Sequence, residues 1–98
     1  MTANTAVRVD LPAFEASLRA DGYSEVLTRE MAAGTHVDTH HHPFDVRALM
    51  LSGELALSCD GQTCTYRVGD VFTMAAGVLH AEQFGATPAS YLVGRRRV

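Results

Sequence analysis

Four of the five histidines in this chain, His36, His40, His41 and His42, fall within seven residues, and the fifth, His80, stands alone. Neutral imidazole is the commonest protein ligand for transition metals. Side chains on a strand alternate between its two faces. In an extended segment over 35–42, His40 and His42 therefore point one way and His41 the other. Two imidazoles so placed can share one ion at a metal–nitrogen distance of about 2.0–2.1 Å. A third ligand has to come from elsewhere, and His80 is the only histidine outside the cluster. A solvated strand end that is merely rich in imidazole carries the same pattern, and spacing alone does not choose between the two.

The elements that must hold these residues are mostly short strands. Residues 10–22 (DLPAFEASLRADG) predict the one helix, with Asp10 as N-cap, Pro12 in the first turn and Gly22 as the stop. Leu11, Phe14 and Leu18 recur at helical spacing and should share a face. Beyond Gly22, strands are expected near 23–31, 35–42, 46–51, 54–59, 62–67, 71–74, 79–84 and 90–96, separated by glycine- and proline-bearing turns. Asp60-Gly61 is a two-residue hairpin signal, since a type I′ turn needs positive φ at both central positions. That turn sets Cys59 opposite Gln62 and Leu57 opposite Cys64. The two sulfurs then lie diagonally, too far apart for a disulfide, and both read as free thiols.

The totals narrow the classes. With 98 residues the chain makes one domain, a helical N-terminal arm over 1–22 and a β-barrel over 23–98. Apolar residues supply 47 % of it, enough for a core. The net charge of −3 and pI near 5.9 argue against nucleic acid as a partner. Arg95, Arg96 and Arg97 read as a solvated last strand and tail. No run approaches the ~18 apolar residues of a membrane span, and neither a signal-type leader nor a disulfide framework is evident. A cytoplasmic location is expected.

Placed on these strands, the histidines lie in a pattern that resembles the cupins. The first cupin motif reads G, five residues, H-x-H, three or four residues, E, six residues, G. Here Gly34, His40, His42, Val46 and Gly53 fall at those intervals. The second reads G, five residues, P-x-G, two residues, H, three residues, N, and here Gly69, Ala75, Gly77, His80 and Phe84 fall in register. The resemblance covers residues 23–98. It implies an all-β jelly-roll barrel with one short N-terminal helix, usually a homodimer, holding a divalent metal (Fe, Ni, Mn or Zn) on His40, His42 and His80.

Three positions depart from the family pattern. Val46 stands where the carboxylate ligand is expected, Ala75 replaces the proline and loosens the turn before His80, and Phe84 replaces the asparagine near the rim. Asp45 can stand in for the lost carboxylate only if a bulge after Pro43 turns it inward. Glu82 shares a face with His80 and Phe84, which leaves it as a metal ligand, an outer partner of the ligands, a general base, or a rim residue in solvent. His36 and Asp38 share the parity of His40 if the strand is regular that far, which places them near the pocket mouth. By parity Val46, Ala48, Met50, Phe72 and Met74 line an apolar interior, while Arg47 and Arg67 face out. No inward arginine is evident to clamp a carboxylate.

Three neutral histidines without the usual carboxylate make a stronger Lewis acid, which binds an anionic chelating substrate more readily. The resemblance then implies a three-histidine, dioxygenase-like metal enzyme acting on a small molecule that binds through oxygen. A non-catalytic metal- or ligand-binding module, or a barrel with unused histidines, is the alternative.

Overall fold

Asp10 accepts a hydrogen bond from the Ala13 amide at 3.0 Å and so caps the first helix, α1 (Leu11–Ala20), with Pro12 in its opening turn. The computed structural model describes residues 9–98; the first eight residues of the expected arm lie outside them. Only Leu18 of the expected apolar face is fully buried, and Leu11 remains exposed. Leu18 packs on the helix's own barrel, against Gly94, where an added Cβ would sit 2.9 Å from the leucine Cδ2. No helix among the described residues is long and apolar enough to cross a membrane.

Eight strands follow: β1 (Glu25–Met31), β2 (His36–His40), β3 (Phe44–Ser52), β4 (Glu54–Cys59), β5 (Gln62–Arg67), β6 (Val71–Met74), β7 (His80–Phe84) and β8 (Ala89–Arg97). They form two four-stranded antiparallel sheets, ordered β1-β8-β3-β6 and β2-β7-β4-β5. This is the expected jelly roll with one short helix. β4 and β5 meet at the Asp60-Gly61 turn, where φ is 52° and 76° and Cys59 opposes Gln62. Both cysteines are free.

The interior is built by alternation. Val46, Ala48 and Met50 on β3 meet Phe72 and Met74 on β6, Tyr91 and Val93 on β8, and Leu55, Leu57 and Phe84 from the facing sheet. Ala48, Met50 and Leu55 are completely shielded. Phe84, expected near the rim, is instead deep in the core at 1 % exposure. Its strand ends well below the histidines, so the first residue of β7 reaches the mouth while the last does not.

Candidate metal centre

β2 and β7 lie side by side and carry the site at one end of the barrel. His40, the last residue of β2, pairs directly with His80, the first of β7. His42 lies two residues past the strand end, so simple alternation does not place it. The turn preceding His80 fixes it instead. The Gly77 amide donates to the His42 carbonyl at 2.8 Å, with Gly77 at φ 82°, a conformation glycine adopts without steric cost. The His42 ring stacks on Phe44 at 5.0 Å and meets the His40 and His80 rings at 4.8 and 4.9 Å.

The hydrogen bonds orient the rings. His40 Nδ1 lies 2.7 Å from the Asp38 carbonyl, and His80 Nδ1 lies 2.9 Å from the Val78 carbonyl. A carbonyl oxygen only accepts, so each Nδ1 carries the hydrogen, and each Nε2 presents a lone pair to the site. One ligand atom from each of His40, His42 and His80 lies within 4.8 Å of the others, close enough to hold one ion. The Glu82 carboxylate enters the same space. Its Oε2 sits 3.4 Å from His40 Nε2 and 3.7 Å from His80 Nε2, and the side chain is 14 % exposed. Lone pairs thus face a carboxylate, and a cation among them relieves the repulsion. The donor set fits a divalent transition metal.

Several sequence expectations change here. Val37 opposes Glu82 and His40 opposes His80, so three steps along β2 match two along β7. This bulge reverses the alternation. It turns Val37 inward and leaves His36 and Asp38 on the outside, where they pair with each other at 2.9 Å. His41 is exposed, as expected.

Asp45 does not reach the metal site. β3 is regular from Phe44 to Met50, so Asp45 faces out with Arg47. Its Oδ2 accepts from Arg96 at 2.9 Å and its Oδ1 from the Ala76 amide at 2.9 Å. The Ala76 amide, followed by Arg96, holds the Asp45 carboxyl below the usual carboxylate range. The turn that lacks the family proline is therefore tied from outside, by Asp45 and by the His42 carbonyl. Asp45→Ala should lower metal affinity about tenfold, in the range typical of lost outer partners, with stoichiometry unchanged in a metal titration. An unchanged affinity would show that the turn holds without this tie.

The three histidines line a cavity of about 110 Å³. Val46, Phe72 and Met74 line it as expected, while Ala48, Met50 and Phe84 are packed away beneath. The expectation of no inward arginine fails: Arg29 and Arg95 both line the cavity. Strand β8 continues through Arg97, and alternation from Tyr91 and Val93 carries Arg95 inward. Arg29 pairs with Tyr91 across β1 and β8 and shares its face. Arg47 and Arg67 do face out, bound to Asp21 and Glu54.

Burial, then the charges of His80 and His40, then Arg95 and Arg29, push the His42 imidazole down from 6.5 to about 4. Between these values the unfolded chain binds a proton that the folded, metal-free chain refuses. This contribution is therefore present above pH 6.5 and lost as pH falls toward 4. The urea midpoint of metal-free protein should fall over that window more steeply for wild type than for His42→Gln. Equal slopes would assign the acid sensitivity to other groups.

Residues 27–93, well over half of the chain, match the family model described as the cupin domain. No curated protein matches the chain. Among solved structures it is similar to a cupin protein from Bacteroides fragilis, at 24 % identity and TM-score 0.66, covering 100 % of this chain and 82 % of that one. A protein with a double-stranded beta-helix domain from Klebsiella pneumoniae is 20 % identical, with TM-score 0.63 over 72 % of this chain and 64 % of that chain. The DMSP lyase DddQ from Ruegeria pomeroyi is 26 % identical, with TM-score 0.66 over 72 % of this chain. The chain spans only 36 % of that lyase's length. With both motifs in register, the fold in place and the family model matched, the chain belongs to the cupin-domain family.

Proposed function

We propose that this cupin is a metal-dependent enzyme acting on a small molecule that chelates through oxygen, with dioxygenase-like chemistry as the first to test. The observation that carries the reading is the open cavity lined by the converging His40, His42, His80 and Glu82. A structural metal site is closed, whereas one meant for chemistry keeps an open position. The likeness to a lyase adds support for catalysis in this barrel.

In this reading His40 and His80 hold the ion through Nε2, fixed by the carbonyls behind them, and His42 through one ring nitrogen. Bound there, a divalent transition metal supplies Lewis acidity and, if iron, redox chemistry. Glu82 Oε2 is placed to accept a proton from a substrate hydroxyl or acidic carbon. The apolar wall of Val46, Phe72 and Met74 limits water around the reacting group. The homodimer implied by the family resemblance belongs to the same proposal, and light scattering measures it.

The test begins with protein purified without a histidine tag and loaded in turn with Fe(II), Ni(II), Mn(II) and Zn(II). Oxygen uptake or substrate loss is then followed with small 1,2- and 1,3-dioxygenated compounds. Turnover with one metal, lost in Glu82→Gln while metal is retained, supports the enzyme. Stoichiometric metal with no turnover of any compound makes the chain a binding module.

A further inference from the structure

The arginines divide into two groups. All eight basic residues of the chain are arginine, and seven lie among the described residues. Five of those pair with carboxylates: Arg19 with Glu15, Arg47 with Asp21, Arg67 with Glu54, Arg96 with Asp45 and Arg97 with Glu25. The two without a carboxylate partner among the described residues, Arg29 and Arg95, are the two that line the cavity over the histidines.

From this arrangement we infer that the cavity receives a small carboxylate, with its anionic end held by Arg29 and Arg95 and its oxygen donors directed at the histidine cluster. The inference rests on reading the cavity as a substrate site. Both guanidinium groups come from adjacent strands and share the inward face. Arg95 is half-buried and Arg29 is exposed, and each has a neighbour that limits its freedom. Arg95 lies over the Phe44 ring at 4.9 Å, and Phe44 in turn stacks on His42. Arg29 rests its Nη2 against Met31 Sδ at 3.9 Å. Such packing limits the freedom lost when a ligand is gripped.

Charge balance points the same way. The lining holds two guanidinium groups and one carboxylate, Glu82, so it is positive before any metal enters. A divalent ion adds to that excess. A neutral ligand would leave it uncompensated, whereas a carboxylate neutralises it and can accept paired hydrogen bonds from arginine. The volume, about 110 Å³, is of the order of the ~150 Å³ cavity that takes a benzene ring. The ligand is therefore small, a short hydroxy-, oxo- or dicarboxylic acid in class.

Malonate and its neutral counterpart malonamide are the probes. Calorimetric titrations would use wild type, Arg29→Gln, Arg95→Gln and the double variant, each metal-free and Ni(II)-loaded, with folding checked by thermal melting. Wild type should bind malonate at least tenfold more tightly than malonamide. The double variant should lose at least tenfold in malonate affinity even without metal. Equal binding of the two probes, undiminished binding by the double variant, or no malonate binding in either metal state would overturn the inference. If the double variant does not fold, Arg29→Gln, at an exposed position, decides the matter by the same tenfold criterion. The two readings fail separately. A protein that refuses Ni(II) yet binds malonate through its arginines keeps this inference and loses the metal enzyme. One that takes Ni(II) but ignores the arginine changes does the reverse.

Discussion

His80→Ala protein, loaded and dialysed beside wild type, retains less than about a tenth of the metal that wild type holds. The expectation follows from how His80 is built in. It is 3 % exposed and the only buried polar or charged residue among the described residues. Its Nδ1 is committed to the Val78 carbonyl, so its Nε2 has one direction to face. Losing a partner outside the ligands typically costs about 10–100-fold in metal affinity, and losing a ligand itself should cost more. Elemental analysis reads the result directly. Metal at the wild-type level, in protein with an unchanged far-UV spectrum, would remove His80 from the site and the three-histidine centre with it.

Phe84→Ala should cost about 3–5 kcal/mol, the usual range for emptying a buried phenylalanine position. Phe84 is 1 % exposed, opposes Leu55 across the sheet and lies parallel to Tyr91 with ring centroids 6.3 Å apart. Against a total stability of about 5–15 kcal/mol for a small domain, that loss is large. It should lower the urea midpoint with little change in slope. Metal should recover part of it, because a ligand that binds only the folded state adds about 2.7 kcal/mol at a hundred times its Kd. A loss below about 1 kcal/mol would mean that neighbouring side chains collapse into the space. Phe84 would then be a replaceable filler rather than the floor on which the cavity wall stands.

Much of this barrel was legible in the chain itself, and the reasons differ by residue. Asp60-Gly61 announces its hairpin because positive φ is costly for most other pairs, and the register of Cys59 and Cys64 follows from the turn. Glu82 was readable as inward because β7 is regular and His80 sets its phase. Asp45 was left open only by the chance of a bulge after Pro43, and the chain keeps its alternation there. The bulge occurs instead between Val37 and His40, where no glycine or proline marks it, so His36 and Asp38 were assigned to the wrong face. Arg95 was missed for a related reason. Three consecutive arginines look like a tail, although the strand expected over 90–96 already puts Arg95 in phase with Tyr91 and Val93, which face the interior. Arg29 carried only a weak signal: it alternates with Leu27 and Met31, which pack on the core, but Val26 offers an apolar residue on the other face. The packing of Leu18 could not be told from its spacing, since Leu11 has the same spacing and lies in solvent.

The bulge in β2 divides that strand into two reading frames. Val37 and Glu82 belong to one, His40 and His80 to the other. A chain shorter by one residue at Asp38 or Thr39 would match two steps of β2 to two of β7, so Val37 against Glu82 and His40 against His80 would fall into one regular register. The extra residue is therefore not what aligns the apolar wall with the imidazole cluster. Its effect is on parity: it leaves His36, an even number of positions before His40, on the opposite face.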